Sequence, residues 1–405
     1  MARRILVVGG GPAGTFAAMA ARKQDPTAEV TLLTREPFEP YEKPPLSKAV
    51  LVGDVAPADA LIAGPGGVAA HAVALDTCAD CMAIDRADRA IVLGDGRRLR
   101  YDALVIATGA LPREIPLLPI GTPRVHYLRT CADALALKAQ LRACRNLLVV
   151  GGGLIGLEVA ASAATLGVNV TVLEVASRIL ARVCDEETGA AVHAAHARRG
   201  VDIRVRTVLA SAAPLPDGRI EAITGAGDRI AADLVVVGTG SRPDEALAAA
   251  AGLLTNDGVV VDAQCRTSDF YIYAAGDAVR FPGPDGLVRL ENWRHAQDQG
   301  MVAGRNAAGG SETYATVPSF WSEQYDLYIQ GIGWPIQGGT RVHRAFGGDA
   351  MLVFDVVDGR VAGAMGINAQ RDLAVARRLI ERRIQVDAAE LADPATPLAA
   401  MLKRT

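Results

Sequence analysis

The sequence predicts an α/β chain of two βαβ domains, one interrupted by the other, followed by a C-terminal α+β domain. Three observations predict it. Gly9-Gly10-Gly11-Pro12-Ala13-Gly14 closes the apolar run Ile5-Leu6-Val7-Val8. About 140 residues on, Gly151-Gly152-Gly153-Leu154-Ile155-Gly156 closes Leu147-Leu148-Val149-Val150. Aromatic residues make up only 4% of the chain, yet most lie beyond residue 269, which sets the last segment apart in composition.

The first unit reads as strand, tight turn, helix from Gly14 to about Lys23, and a second strand Val30-Thr31-Leu32-Leu33. Residues 147–174 repeat the plan, with Val170-Thr171-Val172-Leu173 as second strand. These are Rossmann-like, dinucleotide-binding units. Gly9 and Gly151 permit the sharp turn. Gly11 and Gly153 let backbone approach a pyrophosphate, and Gly14 and Gly156 let helix and strand pack closely. Pro12-Ala13 and Leu154-Ile155 open the two helices, whose positive N-termini hold the phosphates.

The copies differ at the end of the second strand, where Thr34 stands opposite Glu174. A carboxylate there accepts both adenosine ribose hydroxyls and repels a 2′-phosphate, so Glu174 argues for NAD at the second site. Arg178 is close enough to soften that preference. The first site lacks the acid; Glu36, two residues on, is the candidate replacement.

Two further apolar strands end in small residues, Leu104-Val105-Ile106-Ala107-Thr108-Gly109 and Leu234-Val235-Val236-Val237-Gly238-Thr239-Gly240. Small residues at a strand end let backbone come near a cofactor; a plain strand exit is the other reading. Tyr271-Ile272-Tyr273-Ala274-Ala275-Gly276-Asp277 is an apolar strand that presents one carboxylate at the mouth of a following helix, suited to a flavin's ribityl chain. This order assigns residues 1–110 and 241–317 to an FAD domain and 111–240 to an inserted NAD domain. Pro112, Pro116 and Pro119 fit the outgoing linker, and Arg242-Pro243 the return. Residues 318–405 form the third domain. There 350–367 reads as strands around the Asp358-Gly359 turn. A helix is expected over 371–383, carrying Arg371, Arg377, Arg378, Arg382 and Arg383 as a solvated face or a docking surface.

With 405 residues, half of them hydrophobic, and a net charge of −3, the chain holds large cores and gives no support for nucleic-acid binding. No apolar run approaches the ~20 residues of a membrane span. Met1-Ala2-Arg3-Arg4 runs straight into the first strand, leaving no room for a targeting peptide, so the expected location is the bacterial cytoplasm. Six cysteines are too few for a disulfide scaffold. Cys78-Ala79-Asp80-Cys81 has redox spacing, but its surroundings read as a strand rather than the helix N-terminus that lowers a thiol pKa. No second pair completes a zinc site, and no metal is expected.

Tyr41-Glu42-Lys43-Pro44-Pro45-Leu46-Ser47-Lys48 and Val317-Pro318-Ser319-Phe320-Trp321-Ser322-Glu323-Gln324-Tyr325-Asp326 carry a family resemblance. So do Glu291-Asn292-Trp293, the segment ending at Gly276-Asp277, and the tail Leu391-Ala392-Asp393-Pro394. Together these resemble, over essentially the full length, the oxygenase-coupled ferredoxin reductases, the group of putidaredoxin reductase and the biphenyl-type dioxygenase reductases. The resemblance implies a glutathione-reductase-like fold that carries FAD and uses NADH. Disulfide reductases and their single-Cys relatives place a thiol beside the flavin; residues 38–50 here contain no Cys.

The resemblance implies a relay. NADH on the second fingerprint passes hydride to FAD, and single electrons leave for a [2Fe–2S] ferredoxin that feeds a Rieske dioxygenase or a haem monooxygenase. It makes Lys48 and Glu158 an ion pair beside the flavin; a surface helix charge and a first-turn helix charge are the plainer alternatives. It puts Trp321 near the flavin at the docking face; a core Trp is the alternative. Trp293 packs under the flavin loop, and Arg294 and Arg305 are candidate steering cations for an acidic ferredoxin. The FAD set is thus Gly9, Gly11, Pro12, Ala13, Gly14, Glu36, Lys48, Thr108, Gly109, Gly276, Asp277, Trp293 and Trp321. The NAD set is Gly151, Gly153, Leu154, Ile155, Gly156, Glu174 and Gly240. Lys48, Glu158 and Trp321 are the catalytic candidates. A monomer is expected. A rubredoxin reductase is the second reading, and a redox interaction protein resembling apoptosis-inducing factor a third, disfavoured by the lack of a basic surface or large insertion.

Overall fold

The computed structural model describes residues 2–53, 55–56, 59–334, 338–347 and 350–403. Met1 of the N-terminal segment read above lies outside them. The chain divides into two compact units. The first comprises Met1–Lys43, Val55–Leu111 and Ser241–Thr316; the second comprises Pro44–Asp54, Pro112–Gly240 and Val317–Thr405.

The first unit is built on a parallel sheet whose strands lie in the order Ile272–Ala274, Ala103–Ile106, Arg4–Val8, Glu29–Leu33 and Ala74–Asp76. The apolar runs are central because parallel strands bury both faces. Ile5, Val7, Leu104, Val105 and Ile106 have no exposed surface. A separate antiparallel ribbon, Cys81–Asp85, Ala90–Leu93 and Arg98–Arg100, holds the redox-spaced cysteines at its start. Cys81 begins its first strand, and Cys78 lies in the preceding turn with φ +54° rather than in a strand. Burial pushes the Cys81 thiol up to about 12, the opposite of activation.

Helix Pro12–Gln24 and helix Trp293–Ala307 pack face to face in this unit. Their closeness rests on two glycines. A Cβ on Gly300 would stand 2.2 Å from the Ala13 carbonyl oxygen, and one on Gly304 would stand 2.0 Å from that of Ala17. Ala13 and Ala17 of the first helix supply the other side of the seam.

The second unit repeats the parallel plan in the order Asp202–Arg204, Asn169–Leu173, Asn146–Val150, Leu234–Val237 and Val125–His126. A three-stranded antiparallel sheet, Leu209–Pro214, Ile220–Thr224 and Arg229–Ala232, closes over it, and Ile220, Ala222, Val235 and Val237 share one core. The same unit holds the C-terminal antiparallel sheet, ordered Ser319–Gln324, Leu327–Gly333, Arg360–Ile367, Ala350–Val357 and Thr340–Gly347. Its core is Leu352, Phe354, Leu373, Leu379 and Leu391. The helix expected over 371–383 spans Gln370–Glu381; Arg382 caps it and Arg383 turns away with φ +53°. The fold is therefore α/β, with two Rossmann-like parallel sheets and a C-terminal α+β portion, as the sequence predicts. No described helix is long and apolar enough to cross a membrane.

Replacing Gly300 by Ala forces backbone apart at the helix seam and is expected to cost about 3 kcal/mol. Urea unfolding measures this, and an unchanged midpoint would contradict the seam.

Candidate functional site

The two fingerprints share one geometry. Gly9 has φ +116° and Gly151 φ +111°, backbone open to glycine alone. A Cβ on Gly14 would stand 1.8 Å from the Gly9 carbonyl, and one on Gly156 would stand 2.2 Å from that of Gly151. The middle glycines differ in kind. Gly11 and Gly153 have ordinary φ values of −80° and −83°. A Cβ on Gly11 would meet nothing within 4 Å, and one on Gly153 only the Gly238 carbonyl at 3.9 Å. Nothing among the described residues requires glycine at these two places, which leaves room for a backbone approach from outside the chain.

Both glycines are N-caps that offer no side chain to the first helical N–H groups, and neither first turn carries an acid. Thr130, Asp185 and Asn292, by contrast, cap their helices with side-chain oxygens. Two uncapped helix ends behind glycines that leave room for backbone approach fit two pyrophosphates. Pro12 stands at the first helical position, where its missing N–H costs nothing. Ala13 is buried, while Ile155 at the second helix is exposed.

The strand ends diverge as the sequence suggests. Thr34 is buried, with its hydroxyl against Gly10. Glu174 accepts the Gly152 N–H at 2.7 Å and the Ala176 N–H at 2.8 Å, which fixes its carboxylate beside the glycine loop. Arg178 donates to the carbonyls of Ile179, Ala181, Cys184 and Asp185. Its guanidinium is spent on its own loop, which weakens the case for it as a 2′-phosphate ligand. Gly240 has φ +107°, with the Arg182 guanidinium 3.3 Å from where its Cβ would be.

In the first unit Glu36 accepts from Tyr41 and, at 3.1 Å, from the Lys43 ammonium. Thr108 donates to the Asp244 carbonyl, and Gly109, at φ +76°, accepts the Asp244 N–H. Gly276 has φ +83° and its N–H goes to Gln299 Oε1 at 2.8 Å. Gly276-Asp277 lies in a single 3₁₀ turn, Gly276–Ala278, and the next long helix starts only at Trp293. The expectation of an acid at a helix mouth is corrected on this point: the chain makes a further ribbon, Val279–Gly283 with Gly286–Val288, before that helix. Trp293 donates its indole N–H to Glu42 and meets Phe16 edge-on, with ring centroids 5.9 Å apart. Burial pushes the Glu42 carboxyl up in spite of that bond. The buried His295 falls to about 3 for the same reason.

The second unit assembles the other candidates. Pro44–Ser47 forms a 3₁₀ turn that ends at Lys48, the N-cap of the short helix Ala49–Val52. Lys48 Nζ stands 3.2 Å from Glu158 Oε1. Glu158 is 7% exposed and begins the second turn of helix Leu154–Thr165, so it is no first-turn charge, and Lys48 is no surface charge. Ser322 donates to Glu158 Oε1 at 2.6 Å and Ser47 to Oε2. Burial pushes the Glu158 carboxyl up, while Lys48 and the two hydroxyls oppose the rise. Sequence reasoning missed Ser47, Ser322 and Gln324. The signal was there for two of them, since they flank Lys48 and Trp321.

Trp321 lies on the edge strand Ser319–Gln324, paired with Gln330, half-buried and outside the buried C-terminal core. Of the two candidate steering arginines, Arg294 pairs with Asp298 at 2.9 Å and Arg305 with Glu312 at 2.7 Å. Arg377 is likewise committed, to the Val317 carbonyl and Ser319 Oγ.

Residues 3–300 match the family described as pyridine nucleotide-disulphide oxidoreductase, and residues 319–402 match the domain described as reductase C-terminal. The chain belongs to the pyridine nucleotide-disulphide oxidoreductase family. It is 40% identical to the anthranilate 1,2-dioxygenase system ferredoxin–NAD(+) reductase component of Burkholderia cepacia, over 98% of either chain. It is 33% identical to putidaredoxin reductase of Pseudomonas putida, over 97% of this chain and 95% of that one. Among solved structures, the covalent putidaredoxin reductase–putidaredoxin complex matches with a TM-score of 0.92 and 32% identity, over 99% of this chain and 98% of the other. The ferredoxin reductase for the CYP199A2 system of Rhodopseudomonas palustris matches with a TM-score of 0.93 and 30% identity, over 98% and 99%.

Gly11→Ala and Gly153→Ala are expected to leave the unfolding midpoint of the ligand-free protein unchanged and to weaken dinucleotide binding at least tenfold, at the first and second site respectively. Calorimetry and titration check both halves. Lys48→Met leaves Glu158 buried without its cation. A carboxyl whose folded pKa is raised contributes stability that is full below its ordinary value of 4.5 and is lost as pH rises through the folded one. Lys48→Met is therefore expected to destabilise the protein more at pH ~8 than at pH ~5, read from urea midpoints.

Proposed function

We propose that this protein is an NADH-dependent ferredoxin reductase of an oxygenase system. It takes hydride from NADH and delivers single electrons to a [2Fe–2S] ferredoxin that serves a Rieske dioxygenase or a haem monooxygenase. One observation carries the reading beyond the family: Lys48, paired with the buried Glu158, stands on the segment where thiol-using relatives hold their cysteines, and residues 38–50 contain none. Electrons that cannot pass to a thiol there must leave by another route.

FAD, when bound, supplies a ring that accepts hydride and releases electrons one at a time. Gly9, Gly11, Pro12, Ala13 and Gly14 would hold its pyrophosphate, with Thr108, Gly109, Gly276 and Asp277 along its length and Trp293 packed nearby. Glu36 would serve its ribose. Gly151, Gly153, Leu154, Ile155, Gly156 and Gly240 would hold NADH, and Glu174 would take the adenosine ribose hydroxyls. The engagement of Arg178 with four loop carbonyls supports NADH over NADPH. By the resemblance, Lys48 faces the flavin, where its charge stabilises an added negative charge. Trp321 is the proposed contact for the ferredoxin; its half-buried place on an edge strand supports this over a core role. The proposed setting is the cytoplasm, with the protein a monomer.

Purified protein is expected to be yellow and to bleach with NADH in the absence of oxygen. Bleaching by NADPH alone would sink the assignment of Glu174. Trp321→Ala is expected to lower ferredoxin-dependent turnover at least tenfold, as loss of a central aromatic contact does, while NADH-to-ferricyanide activity stays intact. Equal loss of both activities would remove Trp321 from the docking surface.

A further inference from the structure

The hydrogen bonds around Glu158 can be followed outward, and their direction is fixed at every step. Glu158 Oε1 faces the Lys48 ammonium at 3.2 Å, so this oxygen accepts. Ser322 Oγ lies 2.6 Å from the same oxygen and must donate its proton there. With that proton spent, Ser322 Oγ can only accept from Gln324, whose Nε2 is 3.0 Å away. The amide orientation follows: Gln324 Oε1 faces His196 Nε2 at 2.8 Å. An amide oxygen only accepts, so His196 carries its proton on Nε2. Its Nδ1 is then an acceptor, and the Tyr325 hydroxyl, 3.2 Å away, donates.

All these groups belong to the second unit. Ser322 and His196 have no exposed surface and Gln324 has 1%, so the middle of the chain is closed off from solvent. The outer end is held under strain. Tyr325 occupies the hairpin turn with φ +58°, a costly conformation for an aromatic residue. Its ring lies 5.0 Å from the imidazole and beneath the Arg199 guanidinium, which pairs with Asp326.

We infer that Gln324, His196 and Tyr325 are positioning residues: a one-way hydrogen-bond chain that fixes the Ser322 proton on Glu158 and keeps the Lys48–Glu158 pair ionised. The ionisable groups facing the chain are Lys48 at its inner end, with Arg199 and His193 beside the imidazole. Burial, Arg199 and His193 all hold His196 neutral, the state with one donor and one acceptor nitrogen that the chain needs. The chain rests on the proposed function only for the place of the pair beside the flavin.

The experiment uses full-length, flavin-loaded protein with ¹⁵N-labelled histidine and ¹³C-labelled glutamate carboxyls. His196→Gln and Glu158→Gln assign the two signals by their loss. His196 is expected to be the neutral Nε2–H tautomer from about pH 6 to 8. An Nδ1–H tautomer, or a mixture, overturns the chain. His196→Phe keeps the ring volume and removes the donor. The Gln324 amide can then turn its N–H toward the ring face and its oxygen toward Ser322, drawing that proton off Glu158. The Glu158 titration is expected to move up by about one pH unit, and His196→Gln, which restores an N–H, to bring it back. If His196→Phe does not fold, Tyr325→Phe is expected to move Glu158 in the same direction. An unmoved Glu158 in the folded variant overturns the inference. If Glu158 moves while the flavin absorption spectrum ignores its titration, the chain stands and the place of the pair beside the flavin falls.

Discussion

A carboxylate taken out of water must be met by donors or give up its charge. Glu158 is that carboxylate, and much of the second unit is arranged around it. Lys48, Ser47 and Ser322 reach it from segments far apart in sequence, with separations of 111 residues for Ser47 and 164 for Ser322. Ser162, one turn along the same helix, bonds the Ser47 carbonyl at 2.7 Å and so fixes the turn that presents Lys48. The edge strand of the C-terminal sheet is held by the same demand, since Ser322 must keep its hydroxyl on the carboxylate.

The glycine fingerprints impose a second constraint, of space rather than charge. Of the four glycines in each, three are hemmed in by the fold and one is not. Gly9 and Gly14, or Gly151 and Gly156, are fixed by backbone atoms closer than a methyl group tolerates. Gly11 and Gly153 meet almost nothing. The distinction separates what the fold needs from what a bound phosphate needs. It also explains why one motif recurs around two different strand-end residues, Thr34 and Glu174.

Much of this was legible in the sequence. The parallel sheets were readable because strands buried on both faces are unbroken apolar runs, and the turns because glycine has few substitutes there. Lys48 and Glu158 were readable through the family motif. What surrounds them was not. Ser322 and Gln324 share one face of a strand and Trp321 points from the other, so the conspicuous aromatic drew attention away from its polar neighbours. Nothing local to His196 says that a strand some 130 residues later brings a glutamine to its ring. The partners of the arginines were only partly legible. Asp298 stands four residues after Arg294 on one helix and is legible in the spacing, whereas Glu312 reaches Arg305 only through the turn that ends that helix.

The two constraints meet in helix Leu154–Thr165. Its N-terminus carries no side-chain cap and no first-turn acid, as the proposed phosphate site needs, while Glu158 sits deep enough to be reached by Lys48. Placing the acid at the start of the second turn satisfies both. One turn earlier it would compete for the helix dipole and the N–H groups left open to the proposed dinucleotide. Two residues along it would rotate by about half a turn, away from Lys48. The spacing from Gly156 to Glu158 is thus set by electrostatics at one end of the helix and by hydrogen-bond reach at the other.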